Sequence, residues 1–228
     1  MGFELSEVVP WGRSFDEYVA MFALTEGDLR KRILGCGDGP ASFNAVASRR
    51  GTDVVSADPI YRFSAEQIES RIDETAATIE LELRKNEEEF VWEHFLSVDD
   101  AIAARRAAMR VFLKDYSVGS RARRYVDASL PDLLFETGRF DLALCSHFLF
   151  LYSERHDAEF HVRSLLELLR VASEVRIFPL LELGSRRSRH LTTVISELLS
   201  RGYRPESVEV AYQFQRGGNQ MLRIPKPQ

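Results

Sequence analysis

Cysteine is scarce in this chain of 228 residues, which contains only Cys36 and Cys145. Neither thiol belongs to a C-x-x-C motif or to a Cys/His ligand pattern, so the sequence predicts no structural zinc site. No histidine stands at paired ligand spacing with a carboxylate, and we predict no metal site of any other kind. Both cysteines fall at the ends of predicted strands, and we expect them to be reduced thiols.

Long apolar runs and an excess of positive charge are also missing. No stretch of 18 apolar residues occurs, which argues against a transmembrane helix. The 30 Lys and Arg residues stand against 35 Asp and Glu, and the formal net charge of −5 disfavours a long nucleic-acid interface. We therefore expect a cytoplasmic protein without a membrane partner, a single domain over residues 1–228, and a small-molecule substrate rather than nucleic acid.

What the sequence does contain is a glycine-rich turn between two predicted strands within residues 31–58. The three glycines are Gly35, Gly37 and Gly39. Residues without a Cβ let the backbone turn sharply and approach a ligand closely. Pro40 fits the first position of a helix, which predicts that the helix begins at once and that its amides face the turn. Asp58 ends the second strand about 20 residues later, the offset expected of a carboxylate that accepts ribose hydroxyls.

The spacing of these glycines differs from the dinucleotide-binding fingerprint. A G-x-G-x-x-G pattern anchored at the first two glycines needs a third glycine where this chain has Pro40, which disfavours a nicotinamide oxidoreductase. After Asp58, Pro59 ends the strand and Ile60 offers apolar surface. Ile60 either packs against an adenine ring or seats the next helix on the core.

A helix is predicted before the first strand, and a helical insertion is predicted after the second. Ser14 and Glu17 form a capping-box pattern, and Tyr18 in this helix either packs on the sheet or touches the ligand as part of a lid. The next strand signal comes much later than one crossover helix requires, which predicts an insertion at about 62–123. Aromatic residues near Phe90 form either the hinge of a helical pair or a cap over a substrate pocket. The pattern is compatible with a monomer or a homodimer.

The remaining chain alternates predicted strands and helices. Strands are predicted at 125–126, 140–147 and 175–181. A loop in which Pro131 fits a helix or turn start separates the first two strands, and a helix from about Asp157 separates the last two. Two final runs joined by Q-R-G-G predict an antiparallel hairpin. We therefore predict an α/β fold with a doubly wound, mostly parallel seven-stranded sheet, a C-terminal antiparallel hairpin, and the helical insertion between strands 2 and 3.

With these elements and its G-x-G-x-G turn, the chain resembles the class I S-adenosylmethionine-dependent methyltransferases of the small, uncharacterised bacterial type. The resemblance covers nearly the whole chain apart from the N-terminal helix and the insertion. It implies the cofactor S-adenosyl-L-methionine and a small-molecule methyl acceptor. The cofactor-binding residues that it implies are Tyr18, Gly35, Gly37, Asp38, Gly39, Asp58, Pro59, Ile60, Asp127, Ala128 and Ser146.

Two features of the chain refine this resemblance. The family often has an acidic residue two positions before the first glycine, where this chain has Ile33, and Asp38 inside the turn is predicted to take part of that role. The sequence S-H-F-L replaces the N-P-P-[YFW] motif of DNA amino-methylating enzymes. His147 is predicted to act as a general base for a hydroxyl or protonated amine, or else to be satisfied by backbone partners. A cofactor- or nucleotide-binding module without methyl transfer is the alternative function.

Overall fold

The computed structural model describes Phe3 and residues 9–226; the other residues of the predicted domain 1–228 lie outside the described part. The helices are α1 (Phe15–Met21), α2 (Phe43–Arg49), α3 (Ala65–Lys85), α4 (Val98–Arg121), α5 (Ala158–Val171) and α6 (Leu191–Ser200). The strands are β1 (Ile33–Cys36), β2 (Val54–Ala57), β3 (Tyr125–Val126), β4 (Phe140–Ser146), β5 (Ala172–Phe178), β6 (Leu181–Glu182), β7 (Arg186–Arg187), β8 (Glu206–Glu209) and β9 (Gln220–Pro225). Short 3₁₀ turns occupy Asp28–Arg30, Pro59–Arg62 and Glu87–Glu89.

Seven of these strands form one sheet in the order β3-β2-β1-β4-β5-β9-β8. Strands β1 to β5 are parallel, whereas β9 runs antiparallel to both β5 and β8. The strands β6 and β7 form a separate two-stranded hairpin. Every residue of β1 is buried, as expected of a central parallel strand with helices on both faces. The predicted doubly wound sheet with a closing antiparallel hairpin is confirmed.

Each face of the sheet has its own apolar core. On one face, Phe43 of α2 and Phe22 pack with Phe178 of β5. On the other face, Leu165 of α5 and Val194 of α6 pack against the central strands. All five side chains are nearly inaccessible to solvent, and each large one contributes roughly 1.5–3 kcal/mol by burial.

The predicted insertion between β2 and β3 consists of the two long helices α3 and α4. Ser64 and Gln67 form a capping box at the start of α3, and Ser97 caps α4 by accepting a hydrogen bond from the Asp100 amide. An aromatic cluster connects these helices to the sheet, and it comprises Tyr61, Phe112, Tyr116 and Tyr125. The insertion is therefore packed on the sheet edge rather than projecting from it.

Two local predictions are wrong. Helix α2 begins at Phe43, so Pro40 lies in the preceding turn and not at the first helical position. The extra residues are needed because the turn continues past Gly39 and the Ser42 amide donates to the Arg13 carbonyl. Strand β5 begins three residues earlier than predicted, because the charge of Glu174 inside it is paired with Arg176 and Arg223.

Candidate active site

A cavity of about 700 Å³ opens at the carboxyl ends of the central strands. Its lining includes Gly37 after β1, Asp58 after β2, Ala128 after β3 and Ser146 at the end of β4. The strand order reverses between β1 and β4, so the cavity lies at the topological switch point, where open α/β sheets bind their ligands. Its volume is within the range of pockets for small molecules.

The end of the glycine turn that faces this cavity is held from two sides. Gly39 has a positive φ of 52°, and a Cβ at this position would meet no atom within 4 Å, so its backbone borders open space. Its amide donates to Asp58 Oδ2 at 2.8 Å, and its carbonyl accepts from the Tyr61 hydroxyl at 2.7 Å. Gly39 is thus placed as the sequence predicts, with room for a ligand against its backbone.

The other two glycines of the turn make room for protein side chains. A Cβ at Gly35 would lie 1.8 Å from Asp38 Oδ2, and a Cβ at Gly37 would lie 2.9 Å from the Phe148 Cβ. Gly37 also has a positive φ of 68° and lines the cavity. A glycine is therefore needed at position 35 because any Cβ there would collide with the Asp38 carboxylate. The glycine spacing alone does not reveal this reason.

Asp38 carries a buried carboxylate at the cavity wall. Its two oxygens accept hydrogen bonds from the Tyr18 hydroxyl at 2.8 Å and from the Ser56 hydroxyl at 2.6 Å. Both donors are neutral, so neither of them cancels the carboxylate charge. Burial raises the pKa of Asp38 to about 6, although the two hydrogen bonds oppose this shift. Tyr18 is itself buried and lines the same cavity.

Asp58 is half-buried in the cavity wall and caps the turn that follows it. Its Oδ1 accepts from the Ile60 amide at 2.9 Å, while its Oδ2 accepts from Gly39. Burial raises its pKa, and these two backbone hydrogen bonds lower it. Each carboxylate oxygen can accept a second hydrogen bond, so Asp58 keeps capacity for hydroxyl donors. Pro59 and Ile60 line the cavity beside it.

The residues after β3 and β4 divide between the cavity and its rim. Ala128 and Ser146 line the cavity. Asp127 lies outside that lining, and its side chain is half exposed. Its Oδ1 is 3.9 Å from the Arg62 Nε. Asp127, which the resemblance implies as a cofactor-binding residue, therefore lies at the rim of the cavity.

His147 lines the cavity at the end of β4 in a left-handed conformation with φ 50°. Its amide donates to the Phe178 carbonyl at 2.7 Å, and its Nδ1 lies 2.9 Å from the Ser146 hydroxyl. Burial lowers the pKa of the imidazole well below its ordinary value, and the charges of Arg13 and Arg105 lower it further. The ring is therefore neutral at pH 7.

The sequence reasoning missed an ion cluster beside the cavity, formed by Arg13, Glu17, Arg105 and Tyr212. The Glu17 carboxylate accepts hydrogen bonds from Arg105 and from the Tyr212 hydroxyl, which is 2.8 Å away. Burial raises the pKa of Glu17, but the charges of Arg105 and Arg13 lower it to about 2. No signal marks Arg105 in the sequence, because a basic residue on a charged helix is usually solvent-facing.

Of the two arginines in this cluster, Arg13 makes fewer hydrogen bonds within the described part of the chain. It donates to the Trp11 carbonyl at 2.6 Å, but its buried Nε has no hydrogen-bond partner among the described residues. Burial and the charge of Arg105 lower the pKa of Arg13 to about 10, so it is still charged at pH 7. Arg13 and Arg105 both line the cavity.

Within the part of the chain that the structure describes, no group of three or more His, Cys, Asp or Glu side chains is placed to hold a metal ion. The helices of that part include none with the length and apolarity needed to cross a membrane.

The strand order and the cavity at its switch point define a Rossmann-like α/β fold. The chain belongs to the same family as the uncharacterised protein MJ0045 of Methanocaldococcus jannaschii. The two are 34% identical over 223 residues, which cover 96% of this chain and 97% of that protein. This relative is archaeal, so the bacterial part of the family prediction stays a prediction. No family model matches the chain.

Solved structures of methyltransferases are similar to this chain at low sequence identity. Magnesium protoporphyrin IX methyltransferase from Synechocystis PCC 6803 with bound SAM is similar with a TM-score of 0.49 and 13% identity, over 93% of this chain and 78% of that one. A SAM-dependent methyltransferase from Aquifex aeolicus is similar with a TM-score of 0.44 and 14% identity, over 92% and 87% of the two chains.

Proposed function

We propose that the protein is a cytoplasmic S-adenosylmethionine-dependent methyltransferase that acts on a small-molecule acceptor. The observation that carries this proposal is the meeting of Gly39, Asp58 and Asp38 on one cavity at the switch point of the sheet. The Gly39 backbone is open to close approach by a ligand, Asp58 is half-buried and Asp38 is buried. These groups provide partners for the polar ribose and methionine parts of such a cofactor.

The ribose, the adenine ring and the methionine ammonium of the cofactor each have a matching group in the cavity. Asp58 has free acceptor capacity for ribose hydroxyls, and Ile60 with Ala128 supplies apolar surface for the adenine ring. Asp38 would hold the methionine ammonium, because its charge is buried and its hydrogen-bond donors are neutral. This supports the expectation that Asp38 supplies the charge that is missing at Ile33.

The chemistry asks little of the protein beyond alignment. The bound cofactor supplies a methyl group on a positively charged sulfur, which an acceptor can displace in line. The cavity walls align the acceptor and exclude water from it. His147 is unprotonated at pH 7 and lines the cavity, so it can accept a proton from an acceptor hydroxyl or hold that hydroxyl in place.

Calorimetric titration with S-adenosylhomocysteine, the demethylated product of the cofactor, tests the proposal. We expect binding to the wild-type protein and a loss of about tenfold or more in affinity for Asp58→Ala. Asp132→Ala is the matched control, because the Asp132 side chain is 83% exposed and lies beyond the cavity lining. A folded wild-type protein that binds no product at millimolar concentration would refute the proposal.

A second measurement separates an enzyme from a binding module. Incubation with radiolabelled cofactor and a library of metabolites should transfer label to at least one acceptor. Cofactor binding without transfer to any acceptor would favour the module without chemistry.

A further inference from the structure

The cavity has a second end whose walls come from outside the parallel strands. This acceptor end is formed by Phe3 and Trp11 near the N-terminus, by the insertion and by the segment between β8 and β9. Its apolar lining residues are Phe3, Trp11, Ile79, Leu83, Phe90 and Phe214. The Phe90 ring lies 5.5 Å from Phe3 and 4.8 Å from Phe214, centroid to centroid. Aromatic walls of this kind suit a flat, apolar ligand.

The charged side chains that line the cavity beside these walls are positive, while the Glu89 carboxylate, which accepts from the Phe3 amide at 3.0 Å, lies outside the lining. Arg13 and Arg105 both border the cavity, while Glu17 is the single carboxylate paired within their cluster. Arg105 is 2% exposed and donates hydrogen bonds to Glu17 and to the Tyr212 hydroxyl, the latter at 3.2 Å. The cluster therefore has two positive charges and one negative charge, so one positive charge is not balanced. A buried excess charge is costly unless a ligand of opposite sign neutralises it.

Of the buried polar atoms that lack a partner among the described residues, two belong to side chains that line the cavity, and Glu89 Oε2 lies outside that lining. Arg13 Nε is buried and has no partner in the described part of the chain. Gln215 lines the cavity and is 8% exposed, and its Oε1 is likewise without a partner among the described residues. Buried polar atoms are normally hydrogen-bonded, so a donor for Gln215 and an anion for Arg13 are the missing groups.

We propose that the acceptor end binds the methyl acceptor as an aromatic oxygen acid, a phenol or a carboxylic acid, in its anionic form. The ring lies between the aromatic walls and the oxygen anion faces Arg13. This inference rests on the proposed methyltransferase function and narrows its substrate class. Cationic acceptors such as protonated amines are disfavoured, since the same excess positive charge repels them.

An anionic oxygen also simplifies the transfer. The acceptor oxygen forms a bond to the methyl carbon while the sulfur–carbon bond breaks, and that bond's electron pair stays on sulfur. The positive sulfonium becomes a neutral thioether and the oxygen anion becomes a neutral ether or ester. The charges cancel, so no proton has to be removed in this step, and His147 then acts by holding the acceptor.

A matched set of four naphthalene probes tests the inference by calorimetry: naphthoate, naphthol, naphthalene methanol and naphthylmethylamine. They share one ring system and differ in charge at neutral pH. In the presence of saturating S-adenosylhomocysteine, we expect naphthoate to bind about tenfold or more tightly than naphthylmethylamine, with the neutral probes between them. Equal affinity for all probes, tighter binding of the amine, or no binding of any probe to protein that holds S-adenosylhomocysteine would overturn the inference.

The variant Arg13→Met identifies the group that selects for the anion. It should remove the preference for naphthoate over naphthalene methanol. Arg163→Met is the matched control, because Arg163 is exposed and pairs on the surface with Asp132 at 3.5 Å. The wild-type ranking of the probes remains decisive if Arg13→Met does not fold, which circular dichroism reports.

The anion could instead come from the carboxylate of the cofactor's methionine, and the same variant separates the two sources. Weaker binding of S-adenosylhomocysteine to Arg13→Met with unchanged naphthoate binding would assign Arg13 to the cofactor and overturn the inference. Naphthoate selectivity in a wild-type protein that binds no S-adenosylhomocysteine would refute the methyltransferase proposal while keeping the site for an aromatic anion. The two proposals therefore fail in distinguishable ways.

Discussion

Asp38 holds a negative charge inside the fold, next to two hydroxyl groups that cannot neutralise it. Its pKa of about 6 in the folded protein lies above the ordinary value of 3.8. The folded state therefore binds the proton more tightly than the unfolded state does. The resulting stability is complete below pH 3.8 and is lost as the pH rises through 6.

Asp38→Asn should remove this pH dependence. We expect the variant to exceed the wild type in free energy of unfolding at pH 7 by on the order of 2 kcal/mol, and to differ little from it at pH 4. Urea unfolding at several pH values measures both differences. The same variant should bind S-adenosylhomocysteine about tenfold more weakly, because the charge proposed to hold the ammonium is gone. A variant that is less stable than wild type at pH 7 would contradict the first expectation.

The role of His147 is best tested by a substitution that tolerates the left-handed backbone conformation at this position. Its φ of 50° is left-handed, and asparagine adopts that region more readily than most residues do. We expect His147→Asn to bind S-adenosylhomocysteine within about threefold of wild type and to lower turnover by about tenfold or more with any acceptor that the screen identifies. Turnover equal to that of wild type would remove His147 from the reaction.

Gly35 shows what residue spacing can and cannot predict. The G-x-G-x-G pattern correctly predicts a turn at the end of β1 that borders the cavity. It cannot predict that the space above Gly35 is filled by Asp38, because that depends on the direction of one side chain fixed by Tyr18 and Ser56. The local sequence pattern predicts the position of the turn, whereas tertiary hydrogen bonds determine which side chain fills the space above it.

Among the elements, the insertion is coupled to the glycine turn through aromatic rings. Phe112 of α4 is fully buried, and its ring centroid lies 6.0 Å from that of Tyr61. Tyr61 in turn donates its hydroxyl to the Gly39 carbonyl. The length of the chain between the second and third strands predicted the helical insertion, but it could not predict this connection, which depends on how the helices dock on the sheet.

Phe112→Ala should therefore affect both stability and the cavity. We expect a loss of about 3–5 kcal/mol in the free energy of unfolding, the usual cost of truncating a buried phenylalanine. We also expect weaker binding of S-adenosylhomocysteine, since Tyr61 loses a packing neighbour. Val118→Ala is the control on the same helix, because Val118 is 57% exposed and should change stability by less than about 0.5 kcal/mol. Equal effects of the two substitutions in urea unfolding would refute the coupling.

At the scale of the whole molecule, the ion cluster joins three distant parts of the chain. Glu17 lies in α1, Arg105 in α4 and Tyr212 between β8 and β9, and all three meet in one buried contact. The doubly wound, mostly parallel sheet could be predicted from the alternation of strands and helices. This cluster could not, because each member is an unremarkable polar residue in its own segment.

A double-mutant cycle measures how strongly the cluster holds these parts together. We expect Arg105→Met and Glu17→Gln each to destabilise the protein, with the loss of Arg105 costing about 3–5 kcal/mol because it leaves Glu17 buried without its main partner. The double variant should lose clearly less than the sum of the two single losses. Additive losses within about 0.5 kcal/mol in urea unfolding would show that the pair is not coupled.

The cysteines in the central strands offer a way to measure how often the sheet opens. Cys36 and Cys145 are register partners on the neighbouring strands β1 and β4, and both are buried free thiols whose pKa is raised by burial. Cys145 is inaccessible to solvent, so a thiol reagent reaches it only when these central strands separate, whereas Cys36 lines the cavity. The labelling rate of Cys145 in the native protein therefore reports how often the sheet opens, and a bound ligand at the ends of these strands should slow it.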